Sequence, residues 1–314
     1  MPRALIVGHT GQDGRILWQQ LAAQGFALGG ISRSRQDGLD GPVPTDINDA
    51  DAVRRLVDNF CPDQIYFLAA YHHSSQDLDS NEVNVWGPSW ATHVHAFSHF
   101  LQATRESNPA ARIFYASSSR VFGPAPSSPQ NEDTPFRPEC IYGVTKASAM
   151  MLAGFYRRVH GMHVSCGILF NHESRLRPPQ FVSRRIVDGL LAIRQQRAEV
   201  LEIGSLGARV DWGYAPDYTR AMQSMLETAP PDDYVVATGE THSVSEMIDV
   251  AASCVGVDTA GRIVESAGII HRQPQILCGN ACKLRNATGW RPSIGFTEMV
   301  RKLAEEAMHS DGVA

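Results

Sequence analysis

Ala4-Leu5-Ile6-Val7-Gly8-His9-Thr10-Gly11-Gln12-Asp13-Gly14 is a short apolar run that empties into a turn carrying glycine at every third position. The stretch that follows, Arg15–Gln24, has a helical pattern. A strand that enters a glycine-rich turn and then a helix lets the backbone approach a pyrophosphate, and the helix N-terminus favours that anion. Gly8, Thr10, Gly11, Gln12, Asp13 and Gly14 are therefore candidate dinucleotide-binding residues. Outward from this turn, Ala27–Ser32, Ile65–Ala70, Ile113–Ser117 and Val164–Phe170 read as further strands, with helical patterns between them. Asp51–Phe60 puts Val53, Leu56, Val57 and Phe60 on one face and stops before Pro62. Strands with continuous apolar runs alternating with helices predict an α/β fold, a Rossmann-type doubly wound parallel sheet. Residues 1–170 are expected to form its dinucleotide-binding domain, with parts of 213–240 returning to it. Residues 171–314, broken by Pro178-Pro179, Pro230-Pro231 and several glycines, are expected to form mainly a smaller interleaved α/β substrate-binding lobe.

The chain has 314 residues, 43% hydrophobic and 19% charged, enough for a large core and against bulk disorder. Its formal charge of −5 and lack of a basic tract argue against a nucleic-acid partner. Six cysteines without a CxxC pair read as reduced thiols. With no apolar run long enough for a signal-peptide core or a membrane span, a cytoplasmic location without membrane contact is expected. His95 and His99 have the spacing of two metal ligands on one helix face, yet no carboxylate or cysteine completes a set, and no metal site is assigned. A helix face at a subunit contact is the expectation for His93, His95 and His99.

The end of the second strand decides which dinucleotide fits. Ile31-Ser32-Arg33-Ser34-Arg35 offers two guanidiniums and no carboxylate, which suits a 2′-phosphate and points to NADP(H). Asp46 and Ile47 follow as candidates to border the adenine. Farther along, Ser117-Ser118-Ser119 ends the fourth strand, and Tyr142-Gly143-Val144-Thr145-Lys146 begins a helix. Tyr142 and Lys146 share a helix face, and an ammonium beside a phenol favours phenolate. With a serine hydroxyl to hold the substrate oxygen, Ser118, Tyr142 and Lys146 become the candidate catalytic set, the last two also touching cofactor.

Turn, serines and YxxxK in this order resemble the extended short-chain dehydrogenase/reductases. Longer strings narrow the resemblance: Gly11-Gln12-Asp13-Gly14, Leu169-Phe170-Asn171-His172-Glu173-Ser174, Asp211-Trp212-Gly213-Tyr214-Ala215-Pro216-Asp217-Tyr218, Tyr234–Val244 and Thr288-Gly289-Trp290-Arg291-Pro292 are similar to the GDP-mannose 4,6-dehydratase family. That resemblance implies a GDP-sugar substrate and a homodimer or homotetramer. It places Ala69, Phe170 and His172 by the cofactor, Asn171 near the diphosphate, and Phe181, Val182, Arg185 and Arg209 near the nucleotide. Arg272 is its weakly matched phosphate ligand. Ser119, Arg120 and, after the third strand, His72 are expected beside the sugar. Arg175 and Arg177 fall where the family has arginines that reach a neighbouring subunit's cofactor.

The family's reaction removes hydride from carbon 4, expels water between carbons 5 and 6, and returns the hydride to carbon 6. Its middle step uses a glutamate after the fourth strand, and Arg120 stands at that position. A guanidinium remains protonated and cannot act as that base. The groups for hydride transfer at carbon 4 are retained, so the expectation is a 4-keto nucleotide-sugar reductase, similar to the GDP-4-keto-6-deoxymannose reductases. The alternatives are 4,6-dehydration through another carboxylate such as Glu173, and a silent NADP(H)-binding sensor. Ser243 and Glu246 are expected to form a capping box.

Overall fold

A computed structural model of the protein describes residues 1–32, 45–71, 82–266 and 277–310. The chain opens with β1 (Arg3–Val7), α1 (Gln12–Ala23), β2 (Ala27–Ile31), α2 (Ala50–Phe60) and β3 (Gln64–Phe67). It continues through α3 (Glu82–Trp90), a π-helical turn at Ala91–His95, α4 (Ala96–Ser107), β4 (Arg112–Ala116), α5 (Ile141–His160) and β5 (Val164–Leu169). These first five strands are the five expected, with ends shifted by one to three residues.

The second half holds β6 (Asn171–Glu173), α6 (Val182–Arg194), β7 (Leu201–Ile203), β8 (Arg209–Val210), β9 (Trp212–Tyr214), α7 (Ala215–Glu227) and β10 (Asp233–Val236). It closes with β11 (His242–Ser243), α8 (Val244–Val255), β12 (Ile263–Glu265), α9 (Cys282–Thr288) and α10 (Phe296–Ser310).

Six parallel strands form the main sheet in the order β10-β5-β4-β3-β1-β2. Each strand is apolar on both sides because both faces are covered. Leu5 and Val7 of β1 enter one core with α2, α4 and α5, whereas Ala4 and Ile6 enter another with α1, α7 and α9. β10 and these two late helices thus belong to the sheet although they lie beyond residue 170. A third core joins α6, α8 and α10 with Leu201, Ile203 and Trp212.

Strand order reverses between β1 and β3, and ligands of open α/β sheets bind beyond the carboxyl ends of the strands at such a point. Gly8 stands there with φ +97°, and a Cβ on it would lie 2.9 Å from the Ala69 amide nitrogen. At the far end of the chain's regular structure, Ser243 caps α8 by accepting the Glu246 N–H at 3.0 Å. The expected capping box is only half made, because the Glu246 carboxylate turns instead to Arg209 and His242. No helix among the described residues is long and apolar enough to cross a membrane.

Candidate active site

The glycine turn is shaped by close backbone approach. A Cβ on Gly14 would sit 2.4 Å from the Gly8 carbonyl oxygen, so only glycine lets α1 start against the end of β1. Gly11 is exposed, and no side chain caps α1, which leaves its first-turn N–H groups without a side-chain partner. Sequence reasoning missed His9, whose ring lies over the bare backbone of Gly30 and packs against Trp18.

Gln12, Asp13 and His172 hold one another. The Asp13 carboxylate lies 3.0 Å from His172 Nε2, His172 Nδ1 donates to the Phe170 carbonyl at 2.7 Å, and Gln12 donates to the His172 carbonyl at 3.1 Å. Ser174 donates to the other end of Gln12 at 2.9 Å. This clasp fastens the turn to the chain leaving β5. Burial opposes charge on both partners, but their mutual attraction prevails, holding Asp13 below and His172 above the ordinary range. The His172 contribution is therefore complete below about pH 6.5 and fades as pH rises through its raised folded value. The Asp13 contribution is complete above about pH 4 and fades as pH falls through its lowered one. Asp13→Asn should lower Tm by about 2–4 °C between these limits. The deficit should shrink on either side, as thermal denaturation across pH will register.

On the other side of the sheet's switch point, Tyr142 opens α5, and its hydroxyl is hydrogen-bonded to Ser118. Ser118 Oγ also accepts the Arg120 N–H at 3.3 Å, aligning the short turn after β4. Lys146 is 1% exposed, its Nζ donates to the Ala116 carbonyl at 2.7 Å, and it lies over the Tyr115 and Tyr142 rings at 4.8 and 5.6 Å. The expected ammonium–phenolate pair is not what results. Burial pulls Lys146 down to about 7, and burial pushes Tyr142 up to about 12 despite relief from Arg177, Ser118 and Arg120. At neutral pH Tyr142 is therefore a phenol with a proton to give.

Arg177 was not among the expected catalytic groups, and its guanidinium, rather than the lysine, is the foremost cation acting on Tyr142. It rests 3.8 Å above the Phe181 ring and 3.4 Å from Glu173. Glu173 is 1% exposed and accepts the Ser183 hydroxyl at 2.5 Å. Also unforeseen is His93, which is fully buried with its ring edge-on to Tyr142. It sits in a π turn, which apolar periodicity does not reveal. The expectation that it would lie on an outer helix face is corrected.

Other expected residues scatter. Phe170 is 2% exposed and packs on Phe122, so its ring belongs to the core. Ser119 is buried, Arg120 and Asn171 are exposed, and Asp46 accepts the Asn48 N–H at 2.9 Å ahead of α2. Ile47 packs against the first core. Val182 packs against the third. Arg185 lines a groove of about 420 Å³ with Pro179, Asp188, Leu201 and Glu202. Arg209 donates to the Thr241 carbonyl at 2.5 Å and to Glu246 at 3.1 Å. Arg33, Arg35, His72 and Arg272 lie outside the described residues.

The profile of the GDP-mannose 4,6 dehydratase family matches residues 5–303. GDP-mannose 4,6 dehydratase 1 of Arabidopsis thaliana is 33% identical over 96% of this chain and 89% of its own. The Homo sapiens GDP-mannose 4,6 dehydratase is 30% identical over 98% and 91%. Among solved structures, RMD from Pseudomonas aeruginosa complexed with NADPH superposes with TM-score 0.85 at 22% identity, covering 99% of this chain and all of that one (100%). The dTDP-glucose 4,6-dehydratase of Bacillus anthracis, in complex with NAD, gives 0.84 at 16% identity, covering 100% and 98%.

Proposed function

Because the chain belongs to the GDP-mannose 4,6-dehydratase family, we propose that it reduces the 4-keto group of a GDP-linked 6-deoxyhexose with NADPH and does not dehydrate GDP-mannose. The observation that carries this reading is Arg120, a permanent cation at the position of the family's glutamate, acting electrostatically on a protonated Tyr142. Reduction needs an acid at the carbonyl oxygen, and Tyr142 has the proton. Dehydration needs a carboxylate at carbon 5, and Glu173 is committed to Ser183 and Arg177.

The residues fit a dinucleotide. Gly8 and Gly14 permit the tight turn, the uncapped start of α1 suits a pyrophosphate, and Lys146 is held inside the crevice beside Tyr142. NADPH, when bound, supplies hydride to carbon 4. The preference for NADP(H) over NAD(H) rests on Arg33 and Arg35 in the sequence. In the step itself, the Tyr142 O–H bond breaks and its proton passes to the carbonyl oxygen as the C=O π pair becomes the new O–H bond. Ser118 donates to that oxygen and holds it at the phenol, while Arg120 and Arg177 offset the negative charge left on Tyr142 until solvent returns a proton.

The named relatives make 4,6-dehydration the second reading. GDP-4-keto-6-deoxymannose offered with NADPH separates the two: NADPH should be consumed in proportion to keto sugar, and Arg120→Glu should slow that consumption at least tenfold. An Arg120→Glu variant with unchanged reduction would remove Arg120 from the argument. Tight NADPH binding without consumption would identify a sensor instead.

A further inference from the structure

His93 is fully buried, yet each ring nitrogen has a defined partner. The Tyr71 backbone N–H donates to Nε2 at 3.0 Å. Nδ1 therefore carries the ring proton and donates to Thr145 Oγ1 at 2.7 Å. Thr145 in turn donates to the carbonyl of Ile141 at 2.9 Å or of Tyr142 at 3.1 Å. The ring edge meets the Tyr142 ring at 90°, centroids 5.2 Å apart, and the His93 carbonyl accepts the Tyr115 hydroxyl at 3.2 Å. Tyr71 lies just beyond β3, two residues after the Ala69 backbone on which Gly8 rests. One imidazole thus ties the strand end at the dinucleotide turn to the first turn of the helix that presents the phenol. It does so from a π-helical turn, a departure from regular helix that recurs at functional sites.

We propose that His93 is a positioning residue for Tyr142. It fixes the backbone of the first α5 turn through Thr145 and the plane of the phenol through its own ring edge, keeping the hydroxyl on Ser118. This inference rests on the ketoreductase reading for its kinetic test and is independent of it for its spectroscopic one. Misplacing a proton donor by about 1 Å costs on the order of 10²-fold in rate without touching ligand contacts. His93→Phe keeps a buried ring of similar size, and Thr145→Val keeps the shape of the threonine while removing its hydroxyl.

With NADPH and GDP-4-keto-6-deoxymannose, both variants should lose about 10- to 100-fold in kcat while both KM values stay within about twofold. The double variant should be no slower than the slower single one, because both break the same link. Thr145→Ser should retain the kcat of the unmodified protein. A Thr145→Val variant with full kcat, or losses that multiply in the double variant, would overturn the proposal.

The second arm reads ¹⁵N-histidine NMR of the full chain. One ring should be neutral, protonated at Nδ1 and hydrogen-bonded at Nε2, should vanish in His93→Gln, and should shift in Thr145→Val. A His93 ring protonated at Nε2 instead would overturn the inference whatever reaction the protein catalyses. If the unmodified protein consumes no NADPH, the ketoreductase reading falls and the NMR arm alone decides His93.

Discussion

Replacing Tyr142 with Phe should lower kcat for keto-sugar reduction by about 10³-fold, within the range for removing a positioned general acid. The loss should sit in kcat and not in KM, because the phenol proton moves only in the transition state. The side chain is partly buried, and its hydroxyl is hydrogen-bonded to the serine beside it. The aromatic body remains in Phe, so the edge contact with His93 and the packing of α5 should persist. Steady-state NADPH oxidation measures the first claim, and quenching of protein fluorescence by NADPH measures retained binding. A variant keeping more than a tenth of the original kcat would mean that another group protonates the carbonyl oxygen. Since burial pushes Tyr142 up to about 12, reduction should also hold its rate between pH 6 and 9. A tyrosine ionising within that span would lose the proton that reduction needs, and the rate would fall as phenolate formed.

Gly14→Ala should be the most damaging single change at the other end of the site. The new methyl carbon would lie 2.4 Å from the Gly8 oxygen, 2.5 Å from the His9 Cα and 2.7 Å from the His9 carbonyl carbon. All three are backbone atoms, so the collision can be relieved only by moving β1 away from α1. That overpacking should cost about 3 kcal/mol or more of stability and weaken NADPH binding at least tenfold. Gly11→Ala is the matched control. Its Cβ meets the Gly8 oxygen at an ordinary 3.4 Å, with φ −71°, so the fold should tolerate it. On the proposed reading Gly11 faces the pyrophosphate, and this variant should lose NADPH affinity while keeping most of its thermal stability. Equal NADPH affinity in Gly14→Ala and the unmodified protein would show that the turn does not hold the dinucleotide.

The sheet was readable because its strands are buried on both faces. Ala4–Val7 and Val164–Leu169 are buried at every position and apolar at all but Ser165, as two covered faces require. The α2 helix announced itself through Val53, Leu56 and Val57 and its end through Pro62, beyond the left-handed Cys61; the Asp49 cap that starts it one turn ahead of those residues came only with the structure. What periodicity could not carry was which part of 213–240 returns as the edge strand, since four apolar-rich residues after a proline pair fit many local structures.

The order of turn, serines and YxxxK singled out Ser118, Tyr142 and Lys146, and the fold brings the three together. Their protonation went the other way because desolvation depends on packing from β4 and α5 together, not on the spacing of tyrosine and lysine. His93 and Arg177 were hidden for a related reason. One reaches the phenol from a π turn and the other from the loop after β6, so neither shares a motif with Tyr142. Arg209 was expected at the nucleotide, and its guanidinium also closes the β8–α8 corner with Glu246 and Thr241, a contact no motif announces.

The central claim is that Arg120 has replaced dehydration by reduction, and the mass of the nucleotide-sugar product tests it most directly. With GDP-mannose and NADP⁺ the sugar's mass should stay unchanged, while with GDP-4-keto-6-deoxymannose and NADPH it should rise by two hydrogens. Loss of one water from GDP-mannose would contradict the account and require a carboxylate at carbon 5 that Arg120 does not supply.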